Sequence, residues 1–371
     1  MLKKQTCLLI AAVILVTGLA EPSRSDDKLV LRNQTAQVSI AHDGGGIVEL
    51  RFRDNSTNPL NWEITPDLET KPPGKPYLRG HFLCLDRWGA PSQAEIDNGV
   101  PFHGEAPRIV WQAARTRPDS LQGTMRCALP LAGLRVRRTV ELHATSAVLK
   151  VTEEVTNINK RGRIFNMVQH PSIAPPFLDE TTLVDSNAAH GFWQDGSLPV
   201  SPESADLWPK VAIDGRPVDL RRLHGAKDTT RSDVSSFVFN ESNKFGWVTA
   251  CNPGKGLMLG YLWKTDEYPW LNIWRYIHDG KVAARGLEFG TTGLHQPFPT
   301  LVKTHQILSR SLFEYVDANQ TIGKSYAVFL LKIPDDYRGV AGVSYSTGRL
   351  QVKEHGELRP RDLEIEVGEL F

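Results

Sequence analysis

The chain is 371 residues long, and its 43 lysines and arginines against 42 aspartates and glutamates leave a formal net charge of +1. This length suits one large domain or two ordinary ones, with ample apolar residues for a core. Because the sequence has no net field and no basic block, nucleic acid is excluded as a partner.

Residues 1–20 have the pattern of an export signal. Two lysines precede an apolar run from Cys7 to Ala20, and small residues at its end are spaced for cleavage before Glu21. The run is shorter than the roughly twenty residues that span a bilayer. We therefore expect an exported protein, periplasmic or secreted, with no membrane anchor once the signal is removed.

The remaining residues, 21–371, show strand patterns and no sustained helical stripe. Alternating apolar residues predict a hairpin over 36–52, turning at Gly44–Gly46, and two long strands over 134–156, turning at Thr145 and Ser146. Further strand-like runs are Ile164–Val168, Phe237–Phe239, Phe245–Ala250, Leu257–Trp263, Thr304–Leu312 and Ser325–Ile333.

Between Asn58 and Ala106, proline and glycine are dense enough to predict long loops. Many strands joined by long loops favour an all-β fold, a large antiparallel β-sandwich formed by 21–371 as one domain. The alternation in 340–371 predicts peripheral edge strands or a loosely packed tail.

One stretch, Arg285–Gly293, places a single carboxylate, Glu288, between two glycines. We interpret it as a small flexible loop that presents this acid. The preceding run Tyr268–Tyr276 contains tryptophans whose flat faces suit sugar rings. Trp274 and Arg275 are expected walls of a carbohydrate pocket, with core packing as the alternative for the tryptophan.

Two more stretches set a protonatable side chain among small or rigid residues. They are Pro101–Ala106, with His103, and Gln169–Phe177, with His170. Two imidazoles and a carboxylate can move protons at both ends of a small substrate without a nucleophile.

These three stretches resemble those of the galactose mutarotase-like superfamily, in particular its aldose 1-epimerase-related branch. The resemblance rests on a His-Gly step at His103, a proline-rich His-Pro stretch at His170 and a Gly-Leu-Glu segment at Glu288. It implies a β-supersandwich fold with the site on its concave face.

The resemblance also implies roles in the interconversion of sugar anomers. Glu288 would take the proton from the anomeric hydroxyl, and His170 would donate one to the ring oxygen. The ring would open, rotate about its first carbon–carbon bond and reclose. His103 would hydrogen-bond sugar hydroxyls or the ring oxygen.

An arginine and an aspartate are two further residues to consider for the site. The Leu83–Gly89 segment resembles a loop that supplies an arginine, which favours Arg87 over Arg79, with a surface salt bridge as the alternative reading. The aspartate that grips sugar hydroxyls in mutarotases has no local motif, and Asp206 and Asp233 are candidates.

The sequence predicts neither a metal nor another cofactor. It has no His-x-x-x-His, His-Glu-x-x-His or calcium-loop pattern. After signal removal only Cys84, Cys127 and Cys251 remain, which allows one disulfide at most.

The favoured function is an exported isomerase acting on a small-molecule sugar or a glycan. A non-catalytic carbohydrate-binding or glycan-handling protein on the same fold is the first alternative. A polysaccharide lyase or hydrolase using Tyr276 and Arg275 is the second.

Overall fold

The computed structural model describes residues 27–65, 68, 77–115, 120–356 and 361–371. The export signal predicted at 1–20 lies outside the described residues. No helix in the described ranges is long and apolar enough to cross a membrane.

Strands dominate the described residues. Those of the first half are β1 (Lys28–Arg32), β2 (Ala36–Ala41), β3 (Ile47–Phe52), β4 (His81–Leu85), β5 (Gln112–Arg115), β6 (Gln122–Leu129), β7 (Leu134–Leu142), β8 (Val148–Asn157), β9 (Arg163–Phe165), β10 (Met167–Ile173), β11 (Leu183–Ser186) and β12 (Ala188–Trp193). Those of the second half are β13 (Asp206–Leu207), β14 (Lys210–Ile213), β15 (Arg216–Asp219), β16 (Arg231–Phe239), β17 (Phe245–Asn252), β18 (Leu257–Lys264), β19 (Trp270–His278), β20 (Lys281–Gly290), β21 (Gln306–Ile307), β22 (Arg310–Ser311), β23 (Glu314–Val316), β24 (Thr321–Lys332), β25 (Val340–Ser346), β26 (Arg349–Glu354) and β27 (Leu363–Glu366). The helices are α1 (Gln93–Asp97), α2 (Phe298–Thr304) and the 3-10 turns Ala106–Arg108, Pro202–Ser204 and Pro253–Lys255.

Two large sheets form the body of the molecule. The ten-stranded sheet has the order β1-β2-β3-β4-β10-β20-β19-β16-β12-β13, and the eight-stranded sheet has the order β11-β17-β18-β24-β8-β7-β6-β5. Neighbouring strands in both are antiparallel, and their facing sides enclose one core that includes Val38, Leu149, Leu259 and Leu287. The predicted antiparallel β-sandwich is confirmed.

The clearest sequence patterns fold as predicted. β2 pairs with β3 from Ala36 opposite Phe52, and β7 pairs with β8 from Leu134 opposite Asn157. Along β7, buried and exposed residues alternate. One face of this strand meets the core while the other faces water, and such half-buried strands are the ones that period-two patterns detect.

The prediction of a flexible loop at Arg285–Gly293 is wrong. Most of it belongs to β20, which lies between β10 and β19 in the ten-stranded sheet and is buried from Ala284 to Gly290. Its glycines allow close packing rather than mobility. A Cβ on Gly290 would lie 2.5 Å from Cγ2 of Val168 on the neighbouring strand.

The strand predicted over Thr304–Leu312 is also wrong. Helix α2 occupies the start of this stretch, and only the two-residue strands β21 and β22 follow. Leu308 and Ser309, between them, have φ of 50° and 58°. Two left-handed residues in succession turn the chain back on itself, so no continuous strand forms.

The strands predicted within 340–371 are present, but they extend neither large sheet and do not form a loose tail. β25, β26 and β27 form a separate three-stranded sheet. Leu350 and Val352 pack against Met258 and Phe329, which lie on the outer face of the eight-stranded sheet. The C-terminal sheet is therefore a third layer.

A buried polar network crosses the core between the two large sheets. Arg138 Nε donates to Glu153 Oε1 over 2.6 Å, and Gln169 Nε2 donates to Glu153 Oε2 over 2.6 Å. The Gln169 amide oxygen lies 3.1 Å from His81 Nε2. Because Arg138 and Glu153 come from the eight-stranded sheet, and Gln169 and His81 from the ten-stranded one, the network ties the layers together.

The three described cysteines, Cys84, Cys127 and Cys251, are buried and free.

Candidate functional site

A cavity of about 380 Å³ opens on the outer face of the ten-stranded sheet, the face turned away from the core between the sheets. This is the size of a small-molecule pocket, about 300–1,000 Å³. Strand alternation places Phe82, His170, Trp274 and Glu288 on this face, while Leu83, Gln169, Ile273 and Leu287 point inward. Its described lining residues are Trp62, Ile64, Leu68, Leu78, Phe82, Trp88, Phe102, His103, His170, Ser232, Val234, Trp274, Glu288 and His295.

Glu288 lies on β20 at the inner end of the cavity and is 1% exposed. Its Oε2 accepts a hydrogen bond from Trp88 Nε1 over 2.7 Å, and its Oε1 lies 3.2 Å from His170 Nε2. Burial raises the pKa of this carboxyl well above its ordinary value, against the opposing effect of the Trp88 donor.

His170 faces Glu288 from β10. Its ring stacks on Phe82 with centroids 4.3 Å apart, and its Nδ1 lies 3.0 Å from Ser172 Oγ. Burial lowers the pKa of His170 to about 3. Desolvation disfavours the charged forms of both groups, so a neutral carboxyl beside a neutral imidazole is the favoured arrangement, and the pair has one transferable proton.

Gly286 makes room for this pair. Its strand partner is Trp274, and Glu288 lies two residues further along the same face. A Cβ on Gly286 would lie 2.6 Å from Glu288 Oε1 and 3.0 Å from Trp274 Cβ. The glycine of the Gly-Leu-Glu segment is therefore needed for space beside the carboxyl.

His103 reaches the cavity from a tight loop. It has φ of 63°, and Gly104 follows with φ of 76°, where a Cβ would meet Leu85 O at 2.2 Å. His103 Nδ1 accepts a hydrogen bond from the Gly89 N–H over 3.1 Å. Burial lowers the pKa of His103 well below its ordinary value, so the neutral ring carries its proton on Nε2 and can donate it to a ligand.

The cavity residues that sequence reasoning missed include His295 and Trp88. The His295 ring lies 4.6 Å from Trp88 and 5.8 Å from His103 between centroids, and desolvation lowers its pKa to about 4. Trp88 follows the selected Arg87 by one residue, so the sequence pattern marked its segment but not its side chain. His295 has no motif that could have marked it.

Comparisons with known proteins identify the fold through solved structures. No family model matches the sequence, and no curated protein matches it. A galactose mutarotase related enzyme from Lactobacillus acidophilus superimposes with a TM-score of 0.59 at 12% identity, over 83% of this chain and 98% of that one. A provisionally assigned aldose 1-epimerase from Escherichia coli gives 0.55 at 15% identity, over 82% and 99%. A galactose mutarotase-like protein from Clostridium acetobutylicum gives 0.55 at 15% identity, over 82% and 95%.

The chain has the galactose mutarotase-like fold.

On this galactose mutarotase-like fold, four of the predicted site residues meet at one cavity: Glu288, His170, His103 and Trp274. Trp274 is both a wall and a packed side chain. Its Nε1 donates to Ser232 Oγ over 2.9 Å, and its ring stacks on Tyr276 with centroids 5.8 Å apart.

Arg87 and Arg275 are not among the described lining residues of the cavity. Arg87 pairs with Asp86 at 2.9 Å and Glu95 at 2.6 Å. This is the salt-bridge alternative. It arises because Arg87 and Trp88 are successive residues whose side chains point in different directions.

Arg275 follows Trp274 on β19, so its side chain leaves the opposite face of the sheet. Its guanidinium holds the Asp233 carboxylate at 2.8 and 2.9 Å.

Neither candidate aspartate joins the described lining of the cavity. Asp233 is engaged by Arg275 and, at 3.1 Å, by Arg231. Asp206 lies on the edge strand β13, where it accepts from the Ala212 N–H over 3.1 Å. Within the described ranges, no three His, Cys, Asp or Glu side chains are grouped to hold a metal ion.

Proposed function

We propose that the protein is an exported aldose 1-epimerase-like isomerase that interconverts the anomers of a sugar. The observation that carries this proposal is the meeting of Glu288, His170 and His103 in one aromatic-walled cavity. The fold neighbours include a galactose mutarotase related enzyme and provisionally assigned aldose 1-epimerases, which agrees with it.

In the proposed reaction, the sugar replaces the direct contact between Glu288 and His170. The reaction starts from the arrangement in which the proton of the pair is on His170. Glu288, as the carboxylate, then takes the anomeric hydroxyl proton while the His170 imidazolium gives a proton to the ring oxygen, which breaks the bond between that oxygen and the anomeric carbon. Rotation of the free aldehyde and reclosure with the roles reversed return both protons. No net charge enters or leaves the cavity, which suits a site where burial disfavours ions.

The test measures anomer exchange by NMR on the mature protein and on Glu288→Gln. Removing a general base should lower the rate about 10²- to 10⁴-fold. Glu364→Gln is the matched control, because Glu364 lies on the exposed C-terminal sheet. Equal exchange rates for the Glu288→Gln and unaltered proteins would refute the assignment of the base.

The export part has its own measurement. N-terminal sequencing of the mature protein should give a start near Glu21. A chain that retains residues 1–20 would contradict it.

A non-catalytic sugar-binding protein is the second candidate. It is favoured by the absence of an aspartate from the described lining and by the contact between Glu288 and His170. It predicts sugar binding without exchange, unaffected by Glu288→Gln and lost in Trp274→Ala.

The lyase or hydrolase reading needs Tyr276 and Arg275 in one cleft. They are successive residues of β19 and point to opposite faces of the sheet, which argues against a lyase or hydrolase that uses both in one cleft.

A further inference from the structure

Apolar side chains make up most of the cavity wall. Its described apolar lining is Trp62, Ile64, Leu68, Leu78, Phe82, Trp88, Phe102, Val234 and Trp274. Its described polar lining is His103, His170, Ser232, Glu288 and His295, with no aspartate, asparagine, glutamine, lysine or arginine among the described lining residues.

Much of the hydrogen-bonding capacity of this lining is already used. The indole N–H of Trp88 is engaged by Glu288, and that of Trp274 by Ser232. His103 Nδ1 is occupied by the Gly89 N–H. If Glu288 and His170 serve the reacting oxygens, Ser232 and His295 are the side-chain acceptors left in the described lining.

A sugar hydroxyl is a donor as well as an acceptor, so each one needs an acceptor for its proton. A fully hydroxylated aldose would bring more hydroxyl protons into the cavity than the side chains of the described lining can accept. Leaving a buried donor unpaired is penalised, whereas a C–H group packs favourably on an aromatic face.

Building on the isomerase proposed above, we infer that the substrate is a deoxygenated aldose, one in which hydrogen replaces at least one hydroxyl. Its methyl or methylene group lies against the apolar wall formed by Trp62, Val234 and Trp274. Its anomeric hydroxyl and ring oxygen meet Glu288 and His170.

The experiment compares matched pairs of sugars by exchange NMR: D-fucose with D-galactose, L-rhamnose with L-mannose, and 2-deoxy-D-glucose with D-glucose. An apolar pocket discriminates against an added hydroxyl by about 10- to 100-fold, so we expect kcat/KM to favour the deoxy sugar by that factor in at least one pair. If kcat/KM for the parent sugar is equal or higher in every pair, the inferred substrate class is wrong, while the proposal of an isomerase is retained.

If no sugar exchanges, the isomerase fails and binding decides the substrate class. The same pairs are then titrated and followed by ligand line broadening. Tighter binding of a deoxy sugar than of its parent supports the inference, and equal or weaker binding in all pairs overturns it.

A substitution that makes the apolar wall more polar provides an independent test of the substrate class. Val234 lines the cavity directly opposite Trp274 in the sheet register, and Val234→Thr adds a hydroxyl at nearly constant volume. We expect the preference for the deoxy sugar to fall at least about threefold, which is less than one unpaired hydroxyl would cost. Val343→Thr, on the separate C-terminal sheet, should leave it unchanged. An unchanged preference in folded Val234→Thr would count against the inference.

Discussion

At the scale of the residue, the pairing of Glu288 with His170 determines how the site responds to pH. The carboxyl and the imidazole share one transferable proton, and their two arrangements of it have the same total protonation. The fraction of protein molecules in which the pair holds one proton therefore changes only at a pH where the pair gains a second proton or loses its only one. Its pH dependence belongs to the pair and not to either group.

We predict that titration of His170 gives kcat/KM for anomer exchange no inflection near pH 6.5, where an ordinary histidine titrates. Protonation of His170 occurs far below, because its pKa is lowered to about 3, and loss of the shared proton occurs above the raised pKa of Glu288. A pH profile of kcat/KM measures this. An inflection near pH 6.5 that disappears in His170→Asn would contradict it.

Gly286 gives a second prediction at this scale. In Gly286→Ala the new Cβ would lie 2.6 Å from Glu288 Oε1, so the carboxyl must move. Misplacing a catalytic group by about 1 Å costs about 10²-fold in rate. We expect kcat to fall by about this factor. The change in the free energy of unfolding should be smaller than the free energy that corresponds to this fall in rate.

Gly323→Ala is the control for Gly286→Ala, because it is also in a strand and a Cβ there meets nothing within 4 Å. Full activity in Gly286→Ala would show that the carboxyl has space to spare.

The residues of the site differ in how visible they are to sequence reasoning. His103, His170 and Glu288 stand in short patterns that can be matched, and the structure brings them together. His295 has no motif, and Trp88 stands beside the arginine that the pattern selected, so only tertiary structure shows that they contribute a ring and a single donor to the cavity.

At the scale of the element, predictability follows burial. β7 is half-buried, so its alternation reveals it, but β19 is buried on both faces from Trp270 to Ile277. A strand buried on both sides has no period-two signal. The glycines of its partner β20 led to the prediction of a loop from the sequence. In the structure these glycines allow close packing against Val168 and Glu288.

The C-terminal sheet makes a prediction about stability. Leu350 is 1% exposed and packs in the layer between this sheet and the eight-stranded sheet. Leu350→Ala should lower the free energy of unfolding by about 2–5 kcal/mol, measured by denaturant titration. Anomer exchange should survive, because the cavity is on the far side of the molecule's core.

The neighbouring Gln351→Ala is the control for Leu350→Ala, since its side chain is exposed. Equal effects of the two substitutions would mean that the C-terminal sheet is not stably packed.

At the scale of the whole molecule, buried neutral histidines set the behaviour in acid. Burial lowers the pKa values of His81 and His103, that of His170 to about 3 and that of His295 to about 4. In the unfolded chain they titrate near 6.5. The unfolded state therefore binds more protons below that pH, and their stabilisation is complete above about 6.5 and lost as the pH falls.

We predict that the free energy of unfolding decreases from pH 7 to pH 5. The pKa values of Glu288 and Asp86, both raised by burial, act in the opposite direction, because their contributions are present below the ordinary pKa of a carboxyl and lost as the pH rises, but they are two groups against four. Denaturant titrations at the two pH values measure the difference. A protein equally stable at both would show that the histidines gain protons without unfolding.

The network behind the cavity bears on strand pairing. Gln169 and His170 are neighbours on β10, one joined to Glu153 between the sheets and the other beside Glu288. A slip of β10 by one residue would exchange their faces, placing an imidazole against the buried Arg138–Glu153 ion pair and an amide against Glu288. A slip of one residue is therefore unfavourable on both sides of the sheet, and the side chains on its outer face are held in register by polar groups on the opposite face.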